Sequence, residues 1–379
     1  MIARQFLIYL LLILLPDIYL VARFLSKQAW WKQLLYALPT LGMLVYTVVL
    51  ARVKDFVPEN PDVLYCYLFL VGLMVIPKLL FSLFSLFGRW GCRLGWAAVA
   101  IDLYILFYGT FVGFQKLEVR RVELCFADLP AAFDGYRIVQ FSDAHLGTYT
   151  EKRQHLLKRA VDSINAQKAD LIVFTGDIQN QRPEEIKPHI ELLSTLKARD
   201  GVYSVFGNHD YPDYIDADPY TKQTNFEKTF SYEQKMTWHV LYNSHVNLYR
   251  GADSIVLAGM ANDGEGRYPQ KGDVANTLWH VGRDAFIVML EHDPTSWRRR
   301  ILRQCHAHLT LSGHTHSAQF SLFGWSPLTL LYREVDGLYT AGPRRQQLFV
   351  SKGLGGVVPF RFGATGEIVV ITLRKGKTY

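Results

Sequence analysis

Residues 169–177 have the sequence ADLIVFTGD, a short apolar run that ends in Gly176 and Asp177. The same pattern recurs through the second part of the chain, where runs of Val, Ile, Leu and Phe end in Asp, Asn, His or Gly. It is found in residues 135–143 (GYRIVQFSD), 201–210 (GVYSVFGNHD), 254–263, 285–293 (AFIVMLEHD) and 308–316 (HLTLSGHTH). Runs of this composition predict buried strands.

Helical patterns between these runs predict an α/β fold with a layered sandwich of sheets and helices. We expect helices over 152–167 and 184–196, an edge strand over 117–126, and closing strands over 347–350 and 367–373. The polar clusters then lie at the carboxyl ends of strands, where α/β proteins bind ligands. Residues 211–237 are polar and rich in turn formers, which predicts a loop or cap beside that crevice.

The first 114 residues differ in composition from the rest. They hold 9 basic and 5 acidic side chains and none of the 12 histidines, whereas residues 115–379 hold 32 basic and 29 acidic ones. Four apolar segments, 5–21, 33–50, 63–87 and 94–114, approach or exceed the roughly 20 residues that cross a bilayer. We therefore predict two domains: a transmembrane region of four helices over 1–114 and an α/β domain over 115–379.

Basic residues in the short loops predict the orientation. Arg23, Lys27, Lys32, Arg89 and Arg93 lie on one side of the four segments, and Arg4, Arg52 and Lys54 lie on the other. The positive-inside rule then places the large domain outside the cytoplasm. We expect an integral protein of a bacterial inner membrane, with the lipid bilayer as a partner.

Three ionisable residues, Asp17, Lys78 and Asp102, fall within the apolar segments. A charge in hydrocarbon is costly, so such groups usually pair inside the bundle or reach towards the interface. We expect Lys78 to pair with Asp17 or Asp102, with snorkelling as the alternative.

Several classes of protein are disfavoured by composition. The second region has a net charge of only +3 and one compact basic cluster, residues 298–300, so no nucleic-acid partner is expected. The four cysteines form no CxxC pair, which excludes a cysteine zinc site of that kind and gives no sign of a disulfide framework.

The residues at the strand ends form a set of carboxylate, imidazole and amide donors without sulfur. They are Asp143, His145, Asp177, Asn208, His292, His314 and His316. Such donors suit Mn, Fe or Zn. Seven are more than one tetrahedral ion needs, and they fit two ions that share one carboxylate. Two ions can hold a phosphoryl group and lower the pKa of a shared water.

In their order along the chain, these motifs resemble those of the calcineurin-like metallophosphoesterases: DAH, GD, GNHD, a lone strand-end His and GHTH. The resemblance covers residue 137 to the C-terminus. It is greatest to the membrane-anchored bacterial branch, which includes enzymes that cleave the pyrophosphate of UDP-diacylglucosamine. It implies a phosphoesterase with two divalent ions, Mn²⁺ first and Fe or Zn as alternatives.

The resemblance also implies roles for single residues. Asp143, His145 and His316 would hold one ion, Asn208, His292 and His314 the other, and Asp177 would bridge the two. His209 would be catalytic: it would face the substrate and stabilise the phosphoryl oxygens or protonate the leaving group. Glu291 and Ser317 depart from the family pattern, and Glu291 would add negative charge near the site.

Other residues have simpler interpretations. Asp210 either orients His209 or caps a turn. His306 and His308 precede their strand and are expected to be structural, and the glycines at 353, 355 and 356 are expected to form a plain turn.

Two alternatives to an enzyme stay open: a non-catalytic membrane receptor that keeps the fold, and a small transporter that uses the three intramembrane charges. Loss of metal ligands would mark the first, and none is lost. We expect a phosphorylated, lipid-linked substrate, because four spans suit an amphiphilic molecule. Preference among monoester, diester and pyrophosphate, and the oligomeric state, are not given by the sequence.

Overall fold

The computed structural model describes residues 2–376. Residue 1 and residues 377–379, at the ends of the two predicted domains, lie outside the described residues. So does the side chain of Arg4, one of the basic residues used to predict the orientation. The chain forms two compact units. One is Met1–Val112 with Tyr214–Asp216, and the other is Gly113–Asp213 with Ala217–Tyr379.

The first unit is helical. Its α-helices are α1 (Phe6–Leu20), α2 (Trp30–Ala51), α3 (Pro61–Leu70), α4 (Ile76–Ser85) and α5 (Gly88–Tyr108). Turns of π-helix extend α1 and α5 and join α3 to α4. The result is four continuous helices long and apolar enough to cross a membrane: Phe6–Leu25, Trp30–Ala51, Pro61–Ser85 and Gly88–Gly113. These overlap the four predicted segments.

Asp17 and Lys78 pair inside this bundle, as predicted. Lys78 Nζ lies 2.7 Å from Asp17 Oδ1 and donates to Thr40 Oγ1 at 2.9 Å. Tyr36 donates its hydroxyl to Asp17 Oδ1 at 2.9 Å, and Thr40 donates to Oδ2. The pair thus joins α1, α2 and α4 through charge-assisted hydrogen bonds.

We predict that Lys78→Met destabilises the bundle by on the order of 1–3 kcal/mol, because it leaves the Asp17 carboxylate without its counter-charge. The measurement is thermal unfolding of the purified full chain in detergent. Lys32→Met is the matched control, since the Lys32 side chain is exposed, donates to Gln28 and lies over the ring of Trp31. Adding Asp17→Asn to Lys78→Met should recover part of the loss. Equal melting temperatures for both lysine variants would contradict the pairing.

The second unit contains two six-stranded sheets. The first has the order β1 (Leu117–Phe126), β12 (Gly366–Lys375), β2 (Arg137–Phe141), β3 (Leu171–Phe174), β4 (Val202–Ser204) and β5 (His239–Val240). The second has the order β10 (Gly337–Ala341), β11 (Gln346–Val350), β9 (Leu309–Ser312), β8 (Ile287–Leu290), β7 (Asp253–Gly259) and β6 (Ser244–Arg250). Strands β2 to β5 run parallel, and so do β7, β8, β9 and β11.

The sheets pack face to face, with helices on both outer faces. The α-helices of this unit are α6 (Gln154–Ala166), α7 (Ile190–Leu193), α8 (Pro219–Lys235), α9 (Val274–Thr277) and α10 (Leu302–Gln304). In β3, Leu171 and Val173 join the core between the sheets, whereas Ile172 and Phe174 join the core beneath α6. Because side chains alternate along a strand, a fully apolar strand supplies both cores. The layered α/β sandwich is the predicted fold.

One local prediction was wrong. Residues 184–196 form two 3₁₀ turns and the single turn α7 rather than one helix, since Pro188 lacks the N–H that an α-helix needs. Residues 211–237, predicted as a loop or cap, contain the 17-residue helix α8. The side chain of Asp218 caps it by accepting from the N–H groups of Tyr220 and Thr221, and Pro219 opens its first turn.

Candidate metal centre

The seven predicted ligands follow the carboxyl ends of five strands. Asp143, Asp177 and Asn208 come after β2, β3 and β4, and His292 and His314 come after β8 and β9. The register pairs Phe141 with Phe174 in one sheet and Leu290 with Leu311 in the other, so parallel strands end at the same level. The fold therefore brings residues up to 173 positions apart in the sequence to one edge of the sandwich.

The first group consists of Asp143, His145, Asp177 and His316, which offer ligand atoms that all lie within 4.8 Å of one another. His316 Nε2 is 3.2 Å from His145 Nε2 and 3.2 Å from Asp143 Oδ1. His145 Nε2 is 3.7 Å from Asp177 Oδ2. Three of the four residues are buried and His316 is nearly so.

The second group consists of Asp177, His292 and His314, again within 4.8 Å of one another. His292 Nε2 lies 3.2 Å from Asp177 Oδ2, and His314 Nδ1 lies 2.7 Å from Asn208 Oδ1. Asn208 thus joins this group through His314. Asp177 belongs to both groups, so the structure brings all seven predicted ligands together around one carboxylate.

Three of these distances fit pairs of ligands on one divalent ion. Ligands about 2.0–2.1 Å from an ion, at angles between the octahedral and tetrahedral values, lie about 2.8–3.4 Å from each other. The 3.2 Å separations match that range. His292 donates Nδ1–H to the carbonyl of Thr175 at 2.7 Å, which leaves its buried Nε2 without a hydrogen-bond partner. A ring held by Nδ1 in this way presents the lone pair of Nε2 to a metal.

Protonation also suits metal binding. Burial lowers the pKa of His145 to about 3 and lowers those of His314 and His316, so these rings are neutral. Burial alone would raise the pKa of Asp177, but the facing His292 and His209 outweigh it and hold that pKa well below its usual range. Burial alone would lower the pKa of His292, but the facing Asp177 outweighs it and raises that pKa well above its usual range, and burial raises the pKa of Asp143 to about 7. Three neutral imidazoles and the ionised Asp177 are thus in the forms that bind metals, whereas an ion would have to displace protons from His292 and Asp143.

The backbone around the ligands is unusual. Asp143, His145, Asp177, His314 and His316 all have φ between 49° and 73°, a region that residues other than glycine seldom adopt. Such conformations are held by their surroundings and cluster at functional sites. Gly176 (φ 94°) could carry no Cβ atom, which would lie 2.5 Å from the Gly207 nitrogen.

Asp210 holds two of these turns together. Its carboxylate accepts hydrogen bonds from the N–H groups of Asp177, Ile178 and Gly207 at 2.8–2.9 Å. Of the two roles considered for Asp210, the structure shows the turn-capping one. It fixes the loop that carries the shared ligand Asp177.

His209 lies beside the ligands. Its ring is 4.8 Å from that of His145, and its Nδ1 donates to the carbonyl of Asn180 at 2.6 Å. The backbone N–H of His209 donates to Asp177 Oδ1 at 2.7 Å, and burial lowers the pKa of the His209 imidazole. The Asn180 carbonyl thus fixes the orientation of the His209 ring beside the ligands.

The structure shows the surroundings of the two departures from the family pattern, Glu291 and Ser317. Glu291 is fully buried, and burial raises its pKa well above its usual range, which favours the neutral acid. The added negative charge expected from Glu291 is therefore not supported. Ser317 has φ 49°, and positive φ continues through Ala318 and Gln319. That conformation costs a serine more than a glycine.

Asp263 ends a predicted strand but lies outside the metal groups. Its buried carboxylate is 2.8 Å from both Arg299 and Arg300, which gives the basic cluster at 298–300 a structural partner. His306 and His308 also lie outside, as expected. His308 Nδ1 accepts from the N–H of Ile287, and its ring stacks on Phe286.

Sequence reasoning missed Arg361, which is 1% exposed. Its guanidinium donates to the carbonyls of Lys352, Gly353, Gly355 and Ala364. The N–H groups of Leu354 and Gly355 in turn donate to the carbonyls of Ser142 and Asp143. The glycine-rich segment is therefore a structural loop that supports Asp143. Nothing in the sequence distinguishes Arg361 from a surface arginine.

Comparison with known proteins decides the family. The family model described as calcineurin-like phosphoesterase matches residues 136–318. The chain is 34% identical over 277 residues to the Bacillus subtilis protein named uncharacterized metallophosphoesterase YkuE, covering 70% of this chain and 89% of that protein. This chain belongs to the calcineurin-like metallophosphoesterase family.

A further relative is named as a transmembrane protein, and another is named only as a metallophosphoesterase. The Danio rerio "transmembrane protein with metallophosphoesterase domain" is 31% identical over 290 residues, covering 73% of this metallophosphoesterase and 62% of the fish protein. An uncharacterized metallophosphoesterase of Aquifex aeolicus is 28% identical over 246 residues, covering 64% of this chain and 85% of that protein. The chain thus spans less than two thirds of its fish relative. Family membership makes it a metal-dependent phosphoesterase, and the four apolar helices indicate a membrane protein.

We predict that Arg361→Met destabilises the second unit by about 3 kcal/mol or more, because it leaves four carbonyls in the buried loop without their donor. Thermal unfolding of the full chain measures this. Arg374→Met is the control, since Arg374 lies on β12 and its side chain pairs with Glu123 at the surface. A loss no larger than that of the control would show that Arg361 does not hold the loop.

Proposed function

We propose that this metallophosphoesterase binds two divalent ions that share Asp177, and that it hydrolyses a phosphomonoester, phosphodiester or pyrophosphate bond. The observation that supports the proposal most is the position of Asp177, whose carboxylate lies within 4.8 Å of the ligand atoms of both groups. One ion would need only one of these groups. Two ions that share Asp177 explain why the ligand atoms of both groups lie close to this one carboxylate.

The residues divide into two ligand sets with a common member. Asp143, His145 and His316 would hold one ion. Asn208, His292 and His314 would hold the other, and Asp177 would bridge them. Divalent ions in such a centre supply Lewis-acid activation of water and of the phosphoryl group. The chain's own contribution is to fix these side chains before substrate arrives, through Asp210, the Thr175 carbonyl and the loop held by Arg361.

His209 is the proposed catalytic residue. Its ring borders the first group, yet it completes neither set of metal donors. The Asn180 carbonyl and the backbone contact to Asp177 fix its position. It would contact the phosphoryl oxygens or the leaving group, where a positioned imidazole stabilises charge or transfers a proton.

The proposed setting is the bacterial inner membrane, with the catalytic domain outside the cytoplasm and Mn²⁺ as the native ion. The basic loop residues support the orientation, and the sulfur-free donor set supports Mn²⁺ over softer ions. The four membrane spans support a lipid-linked substrate, since they keep the domain close to amphiphilic molecules.

We predict that Asp177→Asn lowers Mn²⁺-dependent hydrolysis of an aryl phosphodiester and an aryl phosphomonoester by more than about 100-fold, because an amide cannot serve two ions as a carboxylate does. The assay uses the full chain in detergent. Asp162→Asn is the control, since Asp162 is exposed on α6, where it pairs with Lys158.

Unchanged turnover in Asp177→Asn would contradict the proposal. If wild type cleaves neither probe, its metal content decides the outcome. Two bound ions would indicate an enzyme that needs its own substrate, and the absence of bound ions would favour a receptor that has kept the fold.

We predict that His209→Gln lowers turnover by about 100-fold while the metal content stays at the wild-type value, because His209 contacts substrate and not the ions. Turnover and metal analysis by mass spectrometry are measured on the same sample. His292→Gln is the comparison variant, and it should lose both activity and metal. Loss of metal in His209→Gln would place this residue among the ligands instead.

A further inference from the structure

An apolar loop projects from the second unit next to the metal centre. We define it as residues 322–331, LFGWSPLTLL, which follow GHTH and the turn after it. Nine large hydrophobic side chains are exposed in the described part of the chain after residue 114, and five of them lie in this loop: Leu322, Phe323, Trp325, Leu330 and Leu331. Single exposed apolar residues are normal on a surface, but a cluster marks an interaction site.

The tip of the apolar loop is convex and ordered. Leu322 and Trp325 pair through two backbone hydrogen bonds of 2.9 and 3.0 Å. Phe323 and Gly324 between them both have positive φ, as in the tight turn of a hairpin. This geometry pushes the Phe323 side chain fully into solvent, at 101% exposure. A projecting tip fits into another phase or surface, whereas it offers no groove to hold a ligand.

The base of the apolar loop is joined to the metal centre. Ser326 Oγ donates to the carbonyl of Ser317, one residue after the ligand His316, at 2.7 Å. At the other end, Tyr332 N–H donates to the Leu328 carbonyl at 2.7 Å, and its hydroxyl lies 3.3 Å from His314 Nε2. A change in the position of the apolar loop would therefore reach Ser317 and His314 at the edge of the metal centre.

We propose that the apolar loop inserts into the interface of a lipid bilayer and presents the metal centre to phosphate groups at the level of the lipid headgroups. Phe, Trp and Leu at a projecting tip are the side chains that enter this interface. Arg333 follows the loop directly with its side chain 76% exposed, which suits anionic headgroups.

The bilayer is favoured over a protein partner because the chain carries its own membrane helices. Four spans tether the second unit to a membrane, so a membrane surface is present at high effective concentration without any further binding partner. The choice of lipid phosphates as substrates rests on the proposed function. Insertion of the loop does not, and it can be measured without catalysis.

The test uses the full chain in nanodiscs of phosphatidylcholine and phosphatidylglycerol. The native cysteines are removed by Cys66→Ser, Cys92→Ser, Cys125→Ser and Cys305→Ser, and an environment-sensitive fluorophore is attached at Phe323→Cys. Trp279→Cys is the matched control, because Trp279 is also an exposed aromatic residue of this unit, at 67%. Lipids with a spin label in the acyl chain quench only fluorophores that enter the bilayer.

We expect spin-labelled lipid to quench most of the fluorescence at position 323 and little at position 279. Equal, weak quenching at the two positions would overturn the proposal. Blue-shifted emission at 323 without quenching would also overturn it, since a protein surface or a second copy of the chain would then cover the loop.

A second experiment tests the link to substrate. In Phe323→Asp with Leu331→Asp, hydrolysis of phosphatidic acid in the nanodisc should fall by about tenfold, while hydrolysis of a soluble aryl phosphate stays unchanged. Equal losses on both substrates would show that the loop acts on the metal centre and would overturn the docking role. If wild type cleaves the aryl phosphate but not phosphatidic acid, this choice of lipid phosphate is wrong. If it cleaves neither, the choice of phosphatidic acid is wrong, the metal content decides the proposed function, and quenching alone decides insertion.

Discussion

The Asp177 carboxylate lies where the two groups of metal ligands meet, and much of the second unit is arranged to hold it there. A buried carboxylate is costly to ionise. The facing His292, 3.2 Å away, offsets most of that cost and keeps the pKa of Asp177 low. The remaining ligands come from both sheets, so the centre forms only when the two sheets are packed and their strands end at the same level. Metal binding and folding of the sandwich are in this sense linked.

Residues around the centre stabilise backbone conformations of the ligands that are unfavourable by themselves. Five ligands sit at positive φ, and two structural devices hold the loops that contain them. The Asp210 carboxylate accepts hydrogen bonds from three N–H groups around the Asp177 turn. The Arg361 guanidinium donates to four carbonyls of the loop that supports Asp143. Neither residue offers a ligand to the metal groups. Both act by satisfying backbone groups that would otherwise be buried without partners.

The sequence predicted the parts of the fold that depend on local composition. Buried parallel strands such as β3 are continuous apolar runs, and the residues that follow them are polar, so strand and site were visible together. The edge strands β6 and β10 were not predicted, because an edge strand with one exposed face has no such run. Helix α8 was also missed, although Asp218 and Pro219 form an N-cap and first turn that could have indicated it.

The candidate site was accessible to prediction for a different reason. Its residues are few, chemically distinctive and placed at strand ends, so motif order was sufficient to nominate the six that the structure groups through Asp177, together with Asn208 beside His314. The supporting contacts were not predictable. Arg361 bonds to backbone carbonyls and the apolar loop contacts the centre through backbone and hydroxyl groups, and no local pattern of side chains encodes such contacts. The Asp17–Lys78 pair was intermediate: the cost of charge in a membrane predicts a partner, and only the structure shows which carboxylate it is.

The most direct test of the central claim is anomalous X-ray scattering from crystals of the full chain grown with Mn²⁺. We predict two anomalous peaks about 3.5–4 Å apart, one on each side of the Asp177 carboxylate. One would contact Asp143, His145 and His316, and the other Asn208, His292 and His314. A single peak in fully loaded crystals, or two peaks that do not share Asp177, would contradict it.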